Sequence, residues 1–213
     1  MLAPELGASG IFIDAHSITT GRRRGRLFRG GYDSYTKLVR DLVLWMKQDQ
    51  NPDAWFTTMV DLYRLPTDFP GYAACQAIPE PRRRVECLEG HLARDVTERF
   101  PDDTGQQRFI PYIQLHEFEA LLFSDAAKFL HAFPDEQLII AQLLAIRTQC
   151  GGPENIDDGE DTAPSKRILQ LLPDYVKTVS GLLIVKQISL SLLRSECPHF
   201  GAWIGKLLGL VTV

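Results

Sequence analysis

Apolar and polar positions follow one rhythm in the first half of the chain and another in the second. Ile11-Phe12-Ile13-Asp14-Ala15-His16 and Trp55-Phe56-Thr57-Thr58-Met59-Val60-Asp61 are short apolar runs with the aromatic and β-branched content of strands. Between them Leu38, Val39, Leu42, Val43 and Met46 recur at helical spacing, which predicts an amphipathic helix over 35–48 that Asn51-Pro52-Asp53 stops. A charged helix is predicted over 81–98, with Val85, Leu88, Leu92 and Val96 facing inward. A turn through Pro101-Asp102-Asp103-Thr104-Gly105 then leads into a third apolar run from Phe109 to Leu115. Met1 to Gly10 reads as the end of a helix. Strand, helix, strand, helix, strand, helix implies right-handed crossovers and an α/β fold with a mainly parallel sheet.

Beyond Asp125 the rhythm is helical only. Helices are predicted over 126–133, 136–149, 164–172, 181–196 and 200–208, with no convincing strand among them. The expected organisation is an α/β core over 1–125 and a helical C-terminal region over 126–213 packed on it.

The join between the two rhythms carries the candidate chemistry. Phe109-Ile110-Pro111-Tyr112-Ile113-Gln114-Leu115 reads as a buried strand, and Glu117-Phe118-Glu119-Ala120-Leu121-Leu122-Phe123 as the first turns of a helix. His116, Glu117 and Glu119 sit at the changeover, the carboxyl end of a strand, where ligands bind in open α/β sheets. Acidic residues in a first helical turn are also what the helix dipole favours, so a purely structural role stands beside the functional one. Glu117 and Glu119 differ by two helical positions and cannot point the same way. Glu117 is expected to face the crevice, and Glu119 to tilt towards solvent or a basic partner. Asp61 ends the preceding apolar run in the same manner. Asp68, in the proline- and glycine-broken loop Leu62 to Gly71, reads as a turn cap.

Charge and composition narrow the partners. The net charge of -4 argues against bulk electrostatic capture of nucleic acid, and leaves room for a local basic patch. Arg22, Arg23 and Arg24, in a glycine-rich basic stretch from Thr19 to Gly31, are the candidate grip on a phosphate backbone; a solvated connection is the equal alternative. Lys166 and Arg167 follow Pro164 near a helix start and could serve an anion, although surface solvation accounts for them as well. The acidic loop 151–161 lacks EF-hand spacing and reads as solvated. Cys75, Cys87, Cys150 and Cys197 are widely scattered and show neither metal spacing nor a disulfide framework, which predicts reduced thiols. No apolar stretch reaches the roughly 18 residues of a membrane span. The first residues lack a signal-peptide layout, and a cytoplasmic protein is expected.

Phe109 to Phe123, with Thr57 to Asp61 and Leu65-Pro66-Thr67-Asp68-Phe69-Pro70-Gly71 upstream and Thr162-Ala163-Pro164-Ser165-Lys166-Arg167 downstream, resembles domain-of-unknown-function family 4276 over nearly the whole chain. That family is grouped with Toprim-like proteins. The resemblance implies an α/β nuclease or nucleotidyl-transfer fold with acidic strand ends holding Mg²⁺, and a neighbouring ATPase of the kind found in phage-defence and DNA-repair systems as a partner. Two features depart from the Toprim pattern. The opening strand with its glutamate is absent, and the usual Asp-x-Asp appears as Asp61-Leu62-Tyr63, so only Asp61 carries over. Either the start is displaced downstream or part of the sheet is lost; a displaced start is the expectation, since losing a central strand would expose unpaired backbone.

The expected mechanism is phosphodiester hydrolysis assisted by Mg²⁺ (or Mn²⁺), with nucleic acid as substrate. Asp61 and Glu117 are the expected ligands, Glu119 a further ligand or the orienter of a metal-bound water, and His116 the orienter of a carboxylate or phosphate. The competing reading is a non-catalytic Toprim-derived scaffold docking on an ATPase; Leu182, Leu183, Ile184, Val185 and Ile188 could be its interface, although ordinary core is the preferred account of them. A metal-independent phosphate-binding module is the third. Three or more converging carboxylates would favour the enzyme.

Overall fold

The computed structural model describes residues 2–23, 26–29, 34–63, 65–100, 108–157 and 159–211, with backbone only at 19–23 and 26–29. Its elements are α1 (Leu2–Gly7), β1 (Thr19–Arg23), β2 (Arg26–Arg29), α2 (Tyr35–Gln48), β3 (Phe56–Thr57), β4 (Val60–Asp61), α3 (Tyr72–Gln76), α4 (Pro81–Glu98), β5 (Phe109–Ile110) and β6 (Ile113–Gln114). A 3₁₀ segment (Phe118–His131), α5 (Gln137–Cys150), α6 (Pro164–Leu171), a π-turn (Lys177–Gly181), α7 (Leu182–Val185), α8 (Leu190–Glu196) and α9 (Pro198–Gly209) follow. The described chain is mostly helical. Contacts divide it into two compact units, residues 14–113 and residues 1–13 with 114–213, and the division falls inside the stretch that carries the candidate chemistry.

Among the described residues the extensive parallel sheet does not form. β3 pairs with β5 in parallel, through Phe56 with Phe109 and Thr57 with Ile110. β4 pairs with β6. Each of these strands is two residues long. Pro111 explains the interruption, because it has no N–H to offer a ladder. At the gap, side chains replace backbone pairing. The Thr58 hydroxyl accepts from Tyr112 N at 3.1 Å and donates to Tyr112 O at 3.0 Å, while Thr57 Oγ1 donates to Ile110 O at 2.6 Å. The run 11–16, expected as a strand, is irregular, and Phe12 is 90% exposed. β1 and β2 form an antiparallel hairpin instead.

Within residues 14–113, α2 and α4 span the limits that their periodicity predicts. Leu38, Val39, Leu42 and Met46 of α2 and Val85, Leu88, Leu92 and Val96 of α4 are buried. Burial of such side chains is worth about 1.5–3 kcal/mol each before conformational entropy is subtracted. The Arg108 guanidinium closes the end of α2, donating to Asn51 O at 2.7 Å and to Met46 O and Asp49 O at 3.4 Å. Glu80 caps α4 locally, accepting from Arg82 N and Arg83 N. Cys75 and Cys87 are joined in a disulfide between α3 and α4. This corrects the expectation of reduced thiols for these two, while Cys150 and Cys197 are free: a 12-residue separation carries no signature in sequence, and the turn between the helices brings the two Cα atoms to 5.9 Å.

In the second unit the 3₁₀ segment is the core. Leu121, Leu122, Phe123 and Phe129 are fully buried along it, and an extended Asp125 (φ -144°, ψ 92°) breaks it in two. The helix predicted over 181–196 is interrupted: the π-turn and α7 precede a gap before α8, where Ser189 caps by accepting from Leu192 N. The last helix starts at Pro198 rather than Phe200.

Candidate functional site

Two helices of the second unit begin with the same local deficiency. α6 opens on Pro164 after Ala163, and α9 opens on Pro198 after Cys197. Proline at the first position suits a helix start, but neither preceding side chain makes a capping bond. The first free N–H groups therefore need acceptors from elsewhere in the chain. Glu117 supplies one: its Oε2 accepts from Ser165 N at 2.9 Å. Glu154 supplies two, accepting from His199 N and Phe200 N, each at 2.9 Å. Both carboxylates are 7% exposed.

His116 ties these anchors together. It is the one non-glycine residue with positive φ among the described residues, at 59°, and it is 1% exposed. The left-handed region costs an ordinary residue roughly 1–2 kcal/mol. Its ring offsets that cost by donating from Nε2 to Glu154 O at 3.0 Å, which fixes a proton on Nε2. The backbone reversal at His116 follows β6, and with Glu117 extended the helical segment starts at Phe118, one residue later than the sequence suggests.

Glu119 is the most buried of the three carboxylates, at 2% exposure. Its Oε2 is 2.9 Å from Lys177 Nζ, and Tyr175 OH donates to Oε1 across a long 3.5 Å. Burial raises the Glu119 carboxyl above its ordinary range, the Lys177 charge opposes that rise, and the Glu117 charge adds to it. Burial and the Glu119 charge likewise hold the Tyr175 phenol strongly protonated. Lys177 also lies 5.7 Å from the centre of the Phe118 ring. The basic partner expected for Glu119 is thus present, although Glu119, not Glu117, is the more buried of the two.

The remaining candidates lie apart from this cluster in role. Arg167 Nε donates to Thr162 O at 2.8 Å, tying the start of α6 to its own loop. Asp157 in that loop accepts from the Thr162 hydroxyl, which holds its carboxyl below the ordinary range, with Gly159 N, Arg167 and His116 assisting. Lys166 is half-buried on α6. Arg22 and Arg23 lie on β1; Arg24 lies outside the described residues, as do the side chains of Arg22 and Arg23. Asp61 ends β4, half-buried. Asp68 accepts from Tyr35 N at 2.9 Å and from the Ser34 hydroxyl at 2.9 Å, so it caps α2 from 33 residues away rather than a local turn. Among the described residues of either unit, three acidic side chains do not converge closely enough to share an ion.

Glu154, Ser165, Tyr175 and Lys177 complete a cluster of which sequence reasoning saw only the first half. The available signal was negative: two proline-initiated helices with no capping side chain of their own.

These observations define a mostly helical protein whose central carboxylates act as internal anchors for helix ends. The chain belongs to the family described as domain of unknown function (DUF4276), whose model matches residues 1–208. No curated protein and no solved structure matches it. No helix among the described residues is long and apolar enough to cross a membrane.

Proposed function

We propose that this chain is a non-catalytic docking module, of the Toprim-derived scaffold kind that the sequence resemblance implies, and that it acts by binding an ATPase. The observation that carries the reading is the apolar face of the π-turn and its flanks: Val176, Val179, Leu182 and Leu183 are 47–58% exposed within eight residues. Ile184, Val185 and Ile188 beside them are buried, so the segment is anchored while its outer face is bare. An exposed apolar cluster on a fixed element is the usual mark of a protein partner. The commitment of Glu117, Glu119 and Glu154 to internal donors supports the same reading.

The test is co-expression with the neighbouring ATPase, followed by size-exclusion chromatography and a nuclease assay of the chain alone in Mg²⁺ or Mn²⁺. Co-elution that is lost in Val179→Glu/Leu183→Glu, without cleavage by the chain alone, is the expected result. Cleavage by the chain alone, or co-elution unaffected by the double substitution, would overturn the proposal.

A second reading, metal-assisted phosphodiester hydrolysis, is favoured by one observation, the position of Asp61 at the end of a strand. Asp61 would hold Mg²⁺ or Mn²⁺, which would supply charge neutralisation and an activated water. Cleavage abolished by Asp61→Asn would establish it.

A further inference from the structure

The first unit contains a three-residue constellation that neither reading uses. Cys87 and His91 are four residues apart on α4, so both side chains project from one face of that helix. Cys75 on α3 is fully buried and meets them from the other side. One donor atom from each of the three lies within 4.8 Å of the others.

His91 is placed by a neighbour rather than by chance. Gly71, which precedes α3, has φ +75°, and any Cβ there would lie 2.3 Å from His91 Cδ2. The ring packs directly on bare backbone, which only glycine permits in that conformation. Its approach to the two sulfurs is therefore built into the packing of α4 against the start of α3.

We propose that Cys75, Cys87 and His91 form a zinc site whenever the Cys75–Cys87 bond is reduced, so that disulfide and metal alternate at one position. A dithiol delivers two electrons and two protons to the S–S bond, yielding two cysteine thiols and its own cyclic disulfide. Zn²⁺ then displaces the two thiol protons and binds two thiolates and the imidazole, with water in the fourth place. A low-molecular-weight disulfide reverses the process: it accepts two electrons, its two thiolate products take up protons, the protein S–S bond re-forms and Zn²⁺ leaves. The geometry asks for little movement. Two thiolates on tetrahedral zinc, at Zn–S distances of about 2.3 Å, stand roughly 3.8 Å apart, which side-chain rotation from a disulfide can reach. Thiolates with an imidazole are a donor set that selects zinc over hard cations.

The experiment uses the full chain carrying Cys150→Ser, which removes a half-buried competing thiol, in reduced and oxidised forms, with Co²⁺ as the optical probe and Zn²⁺ as competitor. The reduced protein should show thiolate-to-cobalt charge transfer and tetrahedral d–d bands, saturating at one ion per chain and erased by Zn²⁺. The oxidised protein should show neither. His91→Ala should weaken Zn²⁺ binding by at least the roughly tenfold that loss of a group merely hydrogen-bonded to a metal ligand costs. It leaves the disulfide intact, so it folds independently of the cysteine substitutions. No cobalt–thiolate absorption in the reduced protein, or unchanged affinity in His91→Ala, would overturn the site. Neither result depends on whether the chain docks an ATPase.

Discussion

Both units hold helix ends with carboxylates, but they do so in different surroundings. In residues 14–113, α4 is capped by Glu80 from the adjacent position and α2 by Asp68, which is exposed. In the second unit, α6 and α9 rely on Glu117 and Glu154, both buried and both distant in sequence. An exposed cap can be replaced by water when it is lost. A buried one cannot, and its orphaned N–H groups keep the full desolvation cost. The same bond is therefore an adjustment in one unit and a structural requirement in the other.

Glu154→Ala is the sharpest way to break that contrast. It strips two buried N–H groups at the start of α9 and should lower unfolding stability by about 2–4 kcal/mol, measured by urea denaturation. An effect below that of Asp68→Ala would remove the distinction between the units.

Lys177→Met comes next. Glu119 has a folded pKa above its unfolded value, so in the window between the two the folded state binds more protons than the unfolded state. Stability must fall as pH rises through that window. Lys177 opposes this loss. Its removal should cost about 1–2 kcal/mol at neutral pH, discounted for the 46% exposure of its side chain, and progressively less as pH drops towards the ordinary carboxylate range. Thermal unfolding of both proteins from pH 4.5 to 7.5 checks the sign; a pH-independent difference would show that Glu119 is not the group responsible.

Asp68→Ala should cost about 1 kcal/mol, as for an ordinary helix cap. The Tyr35 N–H that it accepts holds its carboxyl below the usual range. Its contribution is thus present above the ordinary pKa and lost as pH falls through the folded one. Denaturation at pH 7 and pH 3 should show a smaller difference between variant and parent at the lower pH.

The contrast also explains what was legible in the sequence. α2 and α4 announce themselves because their burial is periodic along one element, from Leu38 to Met46 and from Val85 to Val96. The sheet misleads, because Phe109 to Leu115 has strand composition while Pro111 cannot continue a ladder and Thr58 completes the pairing with its hydroxyl. His116, Glu117 and Glu119 stand out as a polar cluster. Their partners do not: Glu154, Ser165 and Lys177 are 38–58 residues away, with nothing in the spacing to connect them to the cluster. Long-range bonds to backbone N–H leave no trace in spacing, which is why structural anchors resemble a metal-binding cluster. Cys75, Cys87 and His91 illustrate the converse, since a constellation divided between two helices shows only its Cys-x₃-His half.

Glu117 accepts from Ser165 N at the start of α6, and our proposal gives it the role of an anchor rather than of a metal ligand. The direct test pairs calorimetric titration of Mg²⁺ and Mn²⁺ with thermal unfolding, on the parent and on Glu117→Gln. Glutamine keeps an acceptor oxygen for Ser165 N and loses only the charge, so the expected loss is small, roughly 0.3–1 kcal/mol, with titration curves identical in the two proteins. Metal binding by the parent that disappears in Glu117→Gln, with stability unchanged, would contradict the account.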